Sequence, residues 1–139
     1  MSEPTLERFA RATVHISLPE PIGTVDGMML VRIPLTGGRF EGEFNAEIMP
    51  GGADWLRQGA DGRTIVDARY ALKTDDGTVI QVLNKGSSKA LVAGAPMWAH
   101  PSFTAPEGPH DWLNHGAYVS AISGSVDAGS IVVEYFRVI

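Results

Sequence analysis

The chain contains no cysteine, which removes disulfides, thiolate metal sites, iron–sulfur clusters and a cysteine nucleophile from consideration. That composition fits a reducing compartment, and the cytoplasm is the expected location. No eighteen apolar residues run together, and Met1 to Phe9 carry no basic stretch leading into an apolar one. Neither a membrane span nor a secretory leader is therefore expected. Positive charge is scarce and scattered: 11 Lys plus Arg stand against 16 Asp plus Glu, giving a formal charge of -5. Such a surface repels a phosphate backbone, so nucleic acid is not an expected partner. Phosphate-cradling glycine motifs are missing, as is the G-x-S-x-G elbow of serine hydrolases, and no nucleotide cofactor is expected. A long helical stripe is missing too.

What the chain has is punctuation. Its 16 Gly and 9 Pro fall between short β-rich runs, the pattern of an all-β domain. Hydrophobic residues make up 44% of 139, enough for one core and one domain spanning residues 1–139. Ala12, Val14, Ile16 and Leu18 alternate with Thr13, His15 and Ser17 until Pro19 ends the run, which reads as a strand with one apolar face. Further strands are expected at Met28–Leu35, Arg39–Ile48, Thr64–Lys73, Val79–Asn84, Met97–Phe103, Ala117–Ile122 and Ile131–Val138. Eight strands at this spacing suit a barrel or a sandwich. Asp75-Asp76-Gly77 marks a tight hairpin, making the strands on either side antiparallel neighbours. Ala53–Gln58, before Gly59, reads as a single helical turn with Asp54 near its N-cap. The irregular stretches 86–96 and 104–111 are loops of the kind that border binding sites.

Several blocks together resemble the domain-of-unknown-function 3237 family. They are Thr36-Gly-Gly-Arg-Phe-Glu-Gly42, Met49-Pro-Gly-Gly-Ala-Asp-Trp55, Asp61-Gly62, Asp67-Ala-Arg-Tyr70, Pro101-Ser-Phe103 and Trp112-Leu-Asn114, with Tyr118 and Tyr135 in later strands. The likeness covers essentially the whole chain. It implies an antiparallel, lipocalin-like β-barrel of about 8–10 strands, self-associated as a homodimer or larger homo-oligomer, with a pocket inside. It also implies an activity shared with the few relatives that look like cofactor-independent enzymes. These add or remove an oxygen nucleophile at a carbon–carbon double bond, or cyclise by proton transfer.

Pro50-Gly51-Gly52 permits a sharp reversal that delivers Asp54 and Trp55 at an element's edge. A carboxyl partly desolvated beside an indole has a raised pKa and can exchange protons near neutral pH; the competing reading is an N-cap and a barrel-end plug. Asp67 and Arg69 share one strand face, Val66, Ala68, Tyr70 and Leu72 the other. Facing the lumen, Arg69 would hold an enolate, phenolate or carboxylate with Asp67 orienting it; facing water, the pair is an exposed salt bridge of about 0–1 kcal/mol. Trp98, His100 and Ser102 alternate on one face, and the loop to His115 adds His110, Trp112 and Asn114, a set with the rings and polar groups of a small-molecule pocket. The histidine spacing matches neither a helical nor a strand zinc site, so no metal is expected.

The favoured expectation is a cofactor-free lyase, hydratase or isomerase acting on a small oxygenated, aromatic or cyclic metabolite. Asp54, Arg69 and His115 form the expected catalytic set. Trp55, Asp67, Tyr70, Trp98, His100, Trp112, Asn114 and Tyr118 form the expected substrate-binding set. The alternatives are a carrier of a small hydrophobic ligand, with walls but no proton chemistry, and a structural subunit whose barrel is packed solid.

Overall fold

The computed structural model describes residues 2–139. Ten strands follow one another: β1 Leu6–Ile16, β2 Glu20–Val25, β3 Met28–Gly42, β4 Ala46–Ile48, β5 Ala53–Gln58, β6 Thr64–Thr74, β7 Val79–Ser88, β8 Met97–Thr104, β9 Tyr118–Ser125 and β10 Ser130–Val138. All pairings are antiparallel, and β2–β3, β3–β4 and each successive pair from β5–β6 to β9–β10 join neighbours in sequence. β4 and β5 share one edge of β3, pairing at Arg39–Phe40 and at Met29–Pro34, and both continue onto β6. β1 pairs with β10 on one side and with the second half of β3 on the other, which closes the sheet on itself. The result is an eight-position, up-and-down barrel, the closed form that leaves no ring strand with a free edge.

Closure depends on two glycines. A Cβ at Gly38 would lie 2.1 Å from the Thr13 carbonyl oxygen, and one at Gly42 would lie 2.0 Å from that of Phe9. The β1 and β3 backbones therefore meet at distances no side chain permits.

Alternation sorts the faces. On β6, Val66, Tyr70 and Leu72 are buried while Arg69 and Lys73 are exposed; on β8, Met97, Ala99, Pro101 and Phe103 point in and Trp98, His100 and Ser102 point out. The hairpin at Asp75-Asp76-Gly77 forms as expected, with Lys73 opposite Val79 and Gly77 at φ 89°.

Three local expectations are corrected. Residues 53–58 are a strand, because β3 and β6 satisfy this backbone on both edges. Met28–Leu35 and Arg39–Ile48 are not separate strands: β3 runs unbroken through Gly37 and Gly38 to Gly42, and only Ala46–Ile48 stands alone. Glu20–Val25, outside the expected strands, pairs with Met28–Arg32 through a bulge that skips Ile22.

One half of the barrel is filled. Phe9 packs against Phe40, Phe103, Trp112, Tyr118 and Tyr135 with ring centroids 5.4–6.5 Å apart. The short 3-10 turn Asp111–Asn114 plugs that end with the buried Leu113. Arg137 covers the plug: its guanidinium lies 5.5 Å from the Phe9 ring centre and 5.1 Å from that of Trp112, and it pairs with Glu7 and Glu43. Urea denaturation should find Gly38→Ala less stable than the wild type by about 2–4 kcal/mol, because the new methyl forces β3 off β1; an unchanged midpoint would remove the seam from the argument.

Candidate functional site

The other half of the barrel encloses a cavity of about 750 Å³. Its walls are mostly aliphatic: Val14 and Ile16 from β1, Ile33 and Leu35 from β3, Leu56 from β5, Val66 from β6 and Val133 from β10. Leu91 to Pro96 form the rim, with the Leu91 and Val92 side chains more than half exposed. A volume of this size is that of a small-molecule site. The barrel is thus packed at one end and hollow at the other, unlike the solid structural subunit.

Asp54 faces this cavity. It does not cap a helix. Its Oδ1 accepts a hydrogen bond from the Asp67 backbone N–H at 2.9 Å, where the β5–β6 pairing opens between Asp54 and Arg57. The carboxylate does the work of a ladder carbonyl on the neighbouring strand. Burial among apolar walls pushes its pKa up from 3.8 to about 6; the Asp67 amide opposes the shift, and the Asp67 charge adds to it.

Tyr70, Tyr135, Asn84 and Ser120 add neutral polar groups to the interior. The Tyr70 and Tyr135 hydroxyls hydrogen-bond to each other at the base of the cavity, and burial pushes Tyr70 up to about 12 and Tyr135 well above its ordinary range. Both stay protonated at physiological pH. The Ser120 hydroxyl donates to Asn84 Oδ1 at 3.0 Å, with both residues buried. Register aligns Asp54 with Ala68 and Ala68 with Asn84, so the acid and the amide stand in one cross-strand row on the cavity wall, with only a methyl between them.

Of the expected set, Asp54 and Tyr70 line the cavity. Arg69 and Asp67 do not: they form a 3.1 Å ion pair on the outer surface, because the β6 face that turns inward is that of Val66, Ala68 and Tyr70. With a 63% exposed guanidinium, this is the water-facing case, worth about 0–1 kcal/mol. Trp55 and His100 border a groove on the outer wall, and Arg32 lies 5.8 Å over the Trp55 ring. Trp98 is also outside, against Phe136, because its strand parity turns Met97 and Ala99 inward.

Trp112, Asn114, His115 and Tyr118 gather at the plugged end. Asn114 clamps the Ala105 backbone through both its amide atoms, at 2.7 and 2.8 Å. Tyr118 donates to the His115 carbonyl oxygen at 2.6 Å. His115 follows the 3-10 turn and is exposed. The buried His110 meets Asp76 at 2.9 Å and fastens this loop to the β6–β7 hairpin. These four expected residues hold the plug and do not line the cavity. Among the described residues, no three His, Asp or Glu side chains come together as a metal site.

Sequence reasoning missed Asn84, Ser120 and Tyr135. Asn84 left a trace: it follows Ile80 and Val82 at a spacing of two, a polar residue on an apolar face.

Fold and cavity define a class, a closed antiparallel β-barrel hollow at one end with a buried carboxyl, that of Asp54, in its wall. The chain belongs to the family described as protein of unknown function DUF3237, whose model matches residues 4–138. Among its relatives, a UPF0311 protein of Clostridium acetobutylicum is 34% identical over 89 residues, 62% of this chain and 56% of that protein. One from Rhodopseudomonas palustris strain TIE-1 is 25% identical over 122 residues, 77% of this chain and 78% of that one. Among solved structures, a beta-barrel like protein of Acinetobacter baumannii AYE superposes with a TM-score of 0.88 at 26% identity, covering 100% of this chain and 98% of that one. A chain described as an enzyme from Penicillium herquei gives 0.80 at 23% identity, covering 100% and 97%.

The raised pKa of Asp54 makes stability pH-dependent with a definite sign. Its folded pKa lies above 3.8, so its stabilising contribution is full below about pH 4 and is lost as pH rises through about 6. A shift of this size equals about 3 kcal/mol at full burial, and partial exposure trims it to roughly 1–2 kcal/mol. Asp54→Asn keeps the oxygen that accepts from Asp67 without the charge. Relative to the wild type it should therefore gain about 1–2 kcal/mol between pH 3.5 and pH 7.5 in urea titrations; a difference that does not change with pH would place the carboxyl in water.

Proposed function

We propose that this barrel is a cofactor-independent acid–base enzyme of the lyase, hydratase or isomerase type, acting on a small, neutral, oxygenated ring compound held in the cavity. The observation that carries the reading is Asp54: an acid with a pKa of about 6, placed in a largely aliphatic cavity of small-molecule size. A group poised near the working pH serves both as base and, once protonated, as acid. Ionised Asp54 takes a proton from the substrate, and the same proton returns to another atom of that molecule or of its fragment, so no redox partner is consumed. The fold is compatible with catalysis, since the Penicillium herquei protein that shares it is described as an enzyme.

The cavity also amends the expected role of Arg69. Among the described residues no Lys, Arg or His lines it, so a carboxylate or phosphate would lose its hydration with no cation to offset the loss. Neutral ligands are favoured.

A thermal-shift screen of phenolic, lactone and enone metabolites on wild type and Asp54→Asn tests the proposal, because ligands of the native state raise its melting temperature. Each hit is incubated in D2O and followed by mass spectrometry. The expected hit stabilises both proteins, but only the wild type transforms or deuterates it at full rate, with Asp54→Asn slower by about 10²–10⁴-fold. Equal turnover by a folded Asp54→Asn protein removes the role of Asp54. Hits returned unchanged by both make the barrel a carrier. With Asp54 as base in the first step, the wild-type rate should rise with pH to a plateau, with a midpoint near the folded pKa of about 6; a rate falling over the same range would make Asp54 the acid.

A further inference from the structure

The remaining polar groups of the cavity narrow the substrate class. Asn84 is 2% exposed and Ser120 fully buried, on strands whose other inward residues are chiefly apolar. Such a pair needs a reason beyond packing, because a buried amide stabilises a fold only when its hydrogen bonds are made. One half is satisfied: the Ser120 hydroxyl donates to Asn84 Oδ1. That bond orients the carboxamide. With Oδ1 engaged by Ser120, Nδ2 lies on the other side of the amide, and among the described residues no side-chain nitrogen is both sealed from solvent and without a partner. Since Asn84 lines the cavity, its free N–H donors open onto that space. The tyrosine hydroxyls nearby hydrogen-bond to each other, one donating and the other accepting.

We propose that Asn84 is the carbonyl anchor of the cavity, held by Ser120 as its positioning residue, and that the substrate is a neutral cyclic ketone or enone whose oxygen rests on Asn84 Nδ2. This rests on the proton-transfer reading and names its substrate. A side chain offering only donors at its free face selects an acceptor oxygen. Asp54 stands two strands away along the same row, roughly 10 Å between backbones, and the methyl of Ala68 leaves the wall between them open for a flat ring. A ketone lying across this row has its oxygen on the amide and a ring carbon at the carboxylate.

The step balances within one molecule. Asp54 takes a proton from a carbon activated by the carbonyl, the C–H electrons become the carbon–carbon double bond of the enolate, and the negative charge moves to the oxygen. Asn84 stabilises it there, as a preorganised donor does at a developing oxyanion. The proton then passes from Asp54 to the enolate oxygen or, where an enone has given a dienolate, to the other end of the conjugated system, and nothing else is consumed.

The test needs no turnover. α-Tetralone and tetralin share a bicyclic body and differ in one carbonyl, and their binding is compared at about pH 8, where Asp54 is ionised and cannot donate. Infrared difference spectroscopy of bound α-tetralone should show the carbonyl stretch below its position in hexane. Asn84→Leu should return it to the hexane position and lower the ketone-to-hydrocarbon affinity ratio roughly three- to tenfold. Ser120→Ala, the milder change, should broaden the band and move it part of the way. If Asn84→Leu fails to fold, Ser120→Ala decides. A band unmoved by the substitutions, or a wild type that takes up tetralin but not α-tetralone, overturns the proposal. Deuterium exchange through Asp54 is read in a separate experiment, so the carbonyl anchor can fail while the proton-transfer reading stands, and the reverse.

Discussion

Everything in this molecule depends on β1 reaching both β3 and β10. Without that double pairing the sheet would be open, with edges exposed to further strand addition and no interior. The contact exists because β3 carries glycine at Gly38 and Gly42, where the β1 backbone passes too close for any Cβ. A constraint on two residues at the seam thus creates the enclosed volume that contains Asp54. Enclosure then sets the electrostatics: the same carboxyl on the outer wall would be hydrated, as the Asp67–Arg69 pair is.

Asp54 sits at a balance between two effects. Its bond to the Asp67 amide favours the charged form, and desolvation by the aliphatic walls disfavours it more strongly, leaving a group that titrates near neutrality. The helix cap expected as one reading of this residue is absent, and a hydrogen bond across the β5–β6 opening stands in its place. Asp54 spans the opening in the β5–β6 pairing with one oxygen and faces the cavity as it does so. The interior tyrosine hydroxyls hydrogen-bond to each other, and burial raises both, so they stay neutral over the range in which Asp54 titrates.

The all-β class, the hairpin at Gly77 and the alternating faces of β6 and β8 were legible because period-two patterning and turn chemistry are local. The inward face was not, since alternation states that two faces differ without saying which is wet. That is why Arg69, Trp55, Trp98 and His100 stand in the expected site sets although they lie on the outer wall: aromatic and charged side chains attract functional readings, whereas the cavity is lined chiefly by Val, Ile and Leu. β5 was missed because Pro50-Gly51-Gly52 followed by Ala-Asp fits a helix start, and only pairing on both edges makes it a strand. Asn84 was overlooked as a single polar residue in an apolar run, and its partner Ser120 is 36 residues away in sequence.

The aromatic plug has a kinetic meaning. With Phe9, Trp112 and Leu113 filling one end and Arg137 tied across it by Glu7 and Glu43, the barrel is a blind vessel and not a tunnel. Whatever enters past Leu91 and Val92 must leave by the same mouth. Entry and exit therefore compete for one passage, so a product resembling its substrate occupies the same berth and delays the next arrival. A molecule too long to lie within the hollow half projects its tail through that rim, which makes the rim, and not the chemistry at the wall, the place where length is discriminated.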